Sequence, residues 1–263
     1  MSKEQKSTET SSRNPPSERA WWEIPARGAV FFVILFVMIP GHWYRAAYLY
    51  TIGRLFPETV ESRIADFGKD VEKRLALKEI PNQLRILVLK AEKQVELWGR
   101  MKNGTWVKIN YYPIFTLPEK KGPKLSKDEL KTPEGIYKIA SLDPDNICKL
   151  AIKLDYPSQE DKEIAKKEGR SPETMEADFL IHGFGFTKGN ISLTNEGMED
   201  MFYLIHKLGK ENVRVLISPG DFRKDPETSA EKAWLQKRYE ELKQQMSEMQ
   251  ETKEKKDAAS GKN

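Results

Sequence analysis

One run of residues divides this chain before anything else is considered. Gly28 to Tyr44 is 17 residues long and holds no Asp, Glu, Lys or Arg, in a chain of 263 residues where those four types make up 32%. Only lipid or a protein core can host such a run. At about 1.5 Å per residue, a helix of this length falls just short of the hydrocarbon core of a bilayer. The flanks suit a membrane interface: Trp21 and Trp22 on one side, Trp43, Tyr44, Tyr48 and Tyr50 on the other. Pro40-Gly41 would kink or end the helix, which membrane helices tolerate better than soluble ones. The expectation is a transmembrane anchor over residues 28–50, preceded by a polar, disordered tail over 1–27. The competing readings are a cleaved signal peptide and a buried core helix. Arg45-Ala46-Ala47-Tyr48 makes a poor small-x-small cleavage site. Three arginines stand on each side of the run (Arg13, Arg19 and Arg27; Arg45, Arg54 and Arg63), so the positive-inside rule does not orient it.

Beyond the anchor the sequence is globular in character. Val60, Ile64, Phe67, Val71 and Leu75 form one apolar stripe, which predicts an amphipathic helix within 55–80, packed on the following domain and stopped at Pro81-Asn82. Strand-like runs come next, at 85–89, 94–98 and 106–112, with Asn103-Gly104 as the hairpin turn between the second and third. Residues 118–131 read as a long loop. Further strands are expected at 135–139, at 147–154 (with Cys148, Leu150, Ile152 and Leu154 on one face), at 179–181 and at 213–218. Residues 157–176 read as a charged insertion. Thr194 caps a helix that buries Met198, Met201, Phe202, Ile205 and Leu208. Strands dominate without βαβ alternation, so the fold class expected is mainly β over 84–222, with a few helices. In the tail, 223–263, Leu235, Tyr239, Leu242, Met246 and Met249 form a second stripe. It could pack on the domain, pair with a partner or stand alone; the last dozen residues read as disordered.

Composition excludes several function classes. Lys plus Arg is 44 against 40 for Asp plus Glu, too even a balance for nucleic-acid binding, which needs a concentrated basic face. A single cysteine, Cys148, excludes an internal disulfide framework and a multi-thiolate zinc site. His42 and His206 build no metal site with His182, so no metal and no cofactor is expected.

The chemical signal lies in residues 181–193. His182 ends a strand and is followed by Gly183, Gly185, Thr187, Gly189 and Asn190. A base on a rigid strand facing a turn rich in backbone N–H groups suits acyl-transfer chemistry. The glycines miss the GxGxxG spacing of a nucleotide loop. Here the chain resembles the L,D-transpeptidase (YkuD-type) catalytic domain, in the subgroup with a short His-to-Cys spacing and an amphipathic helix before the domain. The resemblance covers roughly residues 60–222. Leu87-Val88-Leu89-Lys90 through Glu96-Leu97-Trp98, Tyr112-Pro113-Ile114, Gly122-Pro123-Lys124-Leu125, Thr132-Pro133-Glu134-Gly135-Ile136-Tyr137, and Asp155-Tyr156-Pro157 with Asp161 carry it in order. The family's His-Gly-x3-Ser/Thr-x-Gly-Cys motif falls on His182, Gly183, Thr187, Gly189 and position 190.

The resemblance implies a β-rich, sandwich-like fold, an extracytoplasmic domain on a single-pass inner-membrane anchor, and peptidoglycan as the material acted on. His182 would be the base, Gly183, Thr187, Gly189, Ile191 and Tyr156 would line the substrate, and a cysteine would form a thioester with the stem peptide. The nucleophile position holds Asn190 instead. An amide is a poor nucleophile at neutral pH, and removing the nucleophile of a serine protease costs on the order of a million-fold. A second departure lies before Gly122, where Pro118-Glu119 replaces the subgroup's small residues. Three readings remain: a cell-wall domain that binds stem peptide or a cell-wall protein without the thioester step; an active transpeptidase or amide hydrolase with a relocated nucleophile (Thr187, Ser192 or Cys148); and a membrane scaffold whose helical stripes recruit partners.

Overall fold

The computed structural model describes residues 43, 44, 47, 57–118, 120–185, 187, 189–225 and 230–260, with backbone alone for 251–260. The chain divides into two units, Met1–Ala47 and Tyr48–Asn263. In the first, Trp43, Tyr44 and Ala47 are helical; the rest of the expected 28–50 span lies outside the described residues. Among the described residues no helix is long and apolar enough to cross a membrane.

The second unit opens with helix α1, Val60–Leu75. Thr59 and Ser62 cap its start reciprocally, each side chain accepting the other's backbone N–H at 3.1 and 3.0 Å. It ends before Pro81, because Ala76 turns into the left-handed region (φ 45°) while its N–H bonds the Glu72 carbonyl. Of the predicted stripe Val71 is buried, and Val60, Ile64, Phe67 and Leu75 are partly buried against the same core; Gly68, outside the predicted set, is buried with them.

Three antiparallel strands follow: β1 (Gln83–Leu89), β2 (Gln94–Arg100) and β3 (Trp106–Thr116). Gly104, at φ 83°, makes the expected turn between β2 and β3. Then come β4 (Gly135–Tyr137), β5 (Ile139–Asn146), β6 (Lys149–Leu154), β7 (Leu180–His182), β8 (Ile191–Leu193) and β9 (Val213–Ser218). All nine join in one sheet of order β4-β9-β1-β2-β3-β8-β7-β6-β5. The strand β9 closes the chain's β region but sits inside the sheet, parallel to β1.

The architecture is therefore mainly β, and it differs from two stacked sheets. Strands β4 and β5 occupy opposite edges of the order, yet only Lys138 separates them. A single residue spans a few ångströms, so the sheet must curl until its edges nearly meet, giving a barrel-like wall. Lys138 is fixed there, its N–H bonding Asp155 Oδ1 at 2.8 Å and its carbonyl accepting from Asp155 N at 3.1 Å.

Two apolar clusters result. Leu84, Ile86 and Val88 of β1 face the interior of the curl, together with Ile152, Ile181, Ile191 and the helix α3 (Asn195–Leu208). Leu87 and Leu89 face outward and are covered by Tyr239, Leu242, Met246 and Met249 of the helix α4 (Ala233–Ser260). Covering on both faces explains why β1 reads as an unbroken apolar run rather than an alternating one. It also decides the second stripe, which packs on the domain; the helix continues to Ser260, well into the stretch read as a disordered tail. Within the stretch read as an insertion, Ser158 and Asp161 cap helix α2 (Gln159–Lys167), and Asp161 Oδ1 pairs with Arg238 of α4 at 2.8 Å.

α1 packs on α3, as expected from the sequence. Phe67 meets Phe202 edge-on at 6.5 Å between centroids, and Arg74 binds the buried Asp200 at 2.6 Å.

Candidate functional site

Strand β7 carries His182 between Ala151 of β6 and Ser192 of β8, its register partners on either side. Ile181, one residue earlier, faces the core with Ile152 and Ile191. Alternation along a strand then places His182, Ala151 and Ser192 together on the other face of the sheet. His182 is nonetheless only 4% exposed.

The ring is held by one bond that also fixes its tautomer. Nδ1 lies 2.8 Å from the Gly183 carbonyl oxygen. A carbonyl can only accept, so Nδ1 carries the proton and Nε2 is left as the basic atom. Ser192 Oγ donates to the same oxygen at 3.1 Å. Burial pulls the imidazole pKa below its ordinary value, and the bond to Gly183 offsets part of that. The ring is thus neutral at pH 7, the state a general base requires.

Two glycines make the loop possible. A Cβ on Gly183 would sit 2.5 Å from the Cys148 carbonyl oxygen and 2.9 Å from Asn195 Oδ1. The loop can lie against the β5–β6 turn only with no side chain there. Gly189 adopts φ 100°, a conformation L side chains avoid. It turns the chain back into β8.

Asn190 faces away from nucleophilic work. Its Oδ1 accepts the Leu180 N–H at 3.0 Å, and its own N–H donates to Thr187 Oγ1 at 3.2 Å. The side chain therefore ties the end of the loop to the start of β7. Ile191 pairs with Ile181 and is fully buried in the interior cluster.

The structure brings together His182, Gly183, Thr187, Gly189 and Asn190 of the sequence-derived set along one loop, whereas Ile191, expected to line the substrate, faces the interior cluster on the opposite side of the sheet from His182. Tyr156 lies elsewhere. It is five residues beyond Ala151 in the chain, roughly 17 Å along an extended strand, and is buried against Tyr137 and Phe179 at centroid distances of 6.0 and 6.2 Å. Its hydroxyl donates to the Lys124 carbonyl at 3.0 Å. It stands in the core, clear of the His182 loop.

Three features were not legible beforehand. Cys148 is not a member of the strand face: β6 begins at Lys149, and Cys148 occupies the β5–β6 turn, half buried. A Cβ on Gly185 would meet its Sγ at 2.9 Å, so the thiol touches the loop that follows His182. Ser192 is fully buried beside His182; reading 191–193 as a strand, rather than as a turn into the helix, would have placed it there. Phe115 and Phe184 form an exposed pair, 4.2 Å between centroids, at the bulge where β3 shifts register against β8. Among the described residues no group of three or more His, Cys, Asp or Glu is gathered where a metal could be held.

No protein-family model matches the chain. No curated protein matches it either. Among solved structures it is similar to the helical cell shape determining protein Pgp2 from Campylobacter jejuni, at 19% identity and a TM-score of 0.42, over 58% of this chain and 55% of that one. It is also similar to Bd1075 of Bdellovibrio bacteriovorus, at 19% identity and a TM-score of 0.39, over 63% of this chain and 56% of that one. The chain spans little more than half the length of either.

Proposed function

We propose that this is a cell-wall domain of the L,D-transpeptidase type that binds peptidoglycan stem peptide, or a cell-wall protein, without forming a thioester. Residues 28–50 tether it to the cytoplasmic membrane, with the domain on the outer side. One observation carries the reading: the position where the resemblance expects a nucleophile holds Asn190, whose side chain is engaged with the Leu180 N–H at 3.0 Å. The residue that the resemblance expects as the base is present as His182, two positions after Leu180 on the same strand, with its proton on Nδ1. A buried base with an amide at the expected nucleophile position, followed by a loop that carries the exposed Phe184, supports binding over turnover.

The test uses the full chain in non-ionic detergent. Co-sedimentation with purified sacculi, with no new crosslinks or released fragments by mass spectrometry, is expected. Turnover that disappears in His182→Ala would refute the reading. Asn190→Cys then probes the cleft: acylation of the new thiol by a carbapenem, seen as a mass shift absent from the wild type, would show the surrounding geometry to be intact.

A second reading rests on Cys148. Its sulfur touches Gly185 of the loop that follows His182, so a relocated thiol nucleophile has a specific place. In that case turnover exists and is lost in Cys148→Ser as well as in His182→Ala.

A further inference from the structure

Among its described residues the second unit exposes three large aromatic side chains: Tyr111, Phe115 and Phe184, at 58%, 48% and 59%. All three belong to one row. Tyr112 and Ile114 of β3 face the interior cluster, so alternation turns Tyr111, Pro113 and Phe115 to the outward face of the sheet. Pro113 is exposed as well. Phe184, from the loop after His182, extends the row, its ring 4.2 Å from that of Phe115. The helix α4 covers the outward face over Leu87, Leu89, Trp98 and Trp106 and does not reach these residues.

From Tyr111 to Phe115 the row spans roughly 14 Å along the strand. Its four members are uncharged. The Lys108 ammonium, 5.2 Å from the Tyr111 ring centroid, is paired with Glu96 at 2.6 Å. Single apolar side chains scattered over a surface need no explanation, but a contiguous group marks an interaction site.

The size and placement of the row narrow its occupant. Three rings at these exposures offer roughly 300 Å², against roughly 800 Å² per partner in a stable protein interface. A second copy or a globular partner is therefore poorly served. An added peptide strand would pair with backbone groups at a sheet edge, whereas these side chains stand on the face. A linear sugar polymer is long and narrow, and each pyranose ring has a face of C–H groups. That face can pack on an aromatic ring while the hydroxyls stay in water.

We infer that Tyr111, Phe115 and Phe184 form a platform for a linear polysaccharide, whose successive sugar rings stack along β3. The identity of the polymer rests on the cell-wall reading above: it is the glycan strand that carries the stem peptide, with the peptide directed toward Phe184 and the loop after His182.

The test is calorimetric titration of the full chain, in a non-ionic detergent without sugar headgroups, with soluble chitin oligomers from the dimer to the hexamer. Saturable binding is expected. It should be tighter for the hexamer than for the dimer, because the row is longer than a disaccharide, and insensitive to salt, because no ion pair is made. Tyr111→Ala, Phe115→Ala and Phe184→Ala should each bind roughly fivefold more weakly or worse, as truncated aromatic anchors do. Tyr111→Phe keeps the ring and should bind within about twofold of the wild type. Ile80→Ala, which trims an exposed apolar residue after α1, should bind like the wild type. Where the melting midpoint of an alanine variant moves, the leucine variant at that position is read instead, since it keeps apolar bulk and loses the ring. Absence of saturable binding below about 10 mM, equal binding by the row variants and Ile80→Ala, or a proline-rich peptide bound by the row where chitin oligomers are not, would each overturn the inference. The oligomers carry no stem peptide, so their failure leaves the stem-peptide reading to the sacculus assay. Failure of that assay with the oligomers still bound would overturn the stem-peptide reading and leave the platform.

Discussion

The Asn190 side-chain oxygen accepts the backbone N–H of Leu180 at 3.0 Å. This joins the last residue of the glycine loop to the first residue of β7, the strand that presents His182. Asn190 is thus a structural tie at the position where the resemblance to the L,D-transpeptidase domain would place a reactive group. Asn190→Ala should lower stability by about 1 kcal/mol, the net worth of one such bond. Asn190→Asp keeps an accepting oxygen and should lose less. Urea unfolding of the two variants checks the order.

Gly183 is confined between the Cys148 carbonyl and Asn195 Oδ1. Neither neighbour is the far end of a long side chain that could swing aside. Gly183→Ala should cost about 1–3 kcal/mol, as overpacked sites do. It should also loosen the loop after His182, read as faster amide exchange at residues 183–190. Gly104→Ala meets no atom within 4 Å and should cost stability only through its positive φ, leaving exchange in the loop unchanged.

His182 gives stability a defined pH dependence. Its folded-state pKa lies below the ordinary value of 6.5 because burial disfavours the charged ring. The contribution is therefore fully present above about pH 6.5 and is lost as pH falls from there through the folded value, since the unfolded chain takes up the proton first. His182→Gln should flatten this part of the stability curve, measured as urea midpoint against pH. An unchanged slope would contradict the burial argument.

Glu96 governs a lower window. Burial alone would raise its pKa, but Arg223, Lys108 and the Trp98 indole, at 2.9, 2.6 and 2.8 Å, bring it down to about 2. Its stabilisation is present above about pH 4.5 and is lost as pH falls toward 2. Glu96→Gln leaves Arg223 with one carboxylate fewer and should cost about 3 kcal/mol at pH 7, with a shallower acid limb in the same measurement.

Arg238 of α4 and Asp161 of α2 are each about 5% exposed and 2.8 Å apart. Arg238→Met leaves the buried Asp161 carboxylate with only its Ser158 cap bonds and should cost about 3–5 kcal/mol, whereas Arg238→Met with Asp161→Leu should recover only part of it, because the leucine also removes the cap of α2. A thermodynamic cycle over the two positions measures the coupling.

The sequence by itself determined the elements whose burial pattern is periodic. The stripe from Val60 to Leu75, the hairpin at Asn103-Gly104, and the Thr194-capped helix could be read because each local pattern fits one face packed on a core. It also placed His182, Gly183 and Gly189, whose spacing records the needs of a tight loop after a strand. Only the tertiary structure decided how the strands close. That Lys138 alone separates the two edges of the sheet follows from pairings between residues distant in the chain, which no window of sequence contains. The same holds for Cys148, which the alternation of β6 assigned to a core face and which the β5–β6 turn carries to the loop that follows His182. Tyr156 was drawn to the site by its place in a motif and was kept from it by packing against Tyr137 and Phe179. Local periodicity reports which side of an element is apolar; it does not report which elements meet, because that depends on the sum of long-range contacts rather than on any one of them.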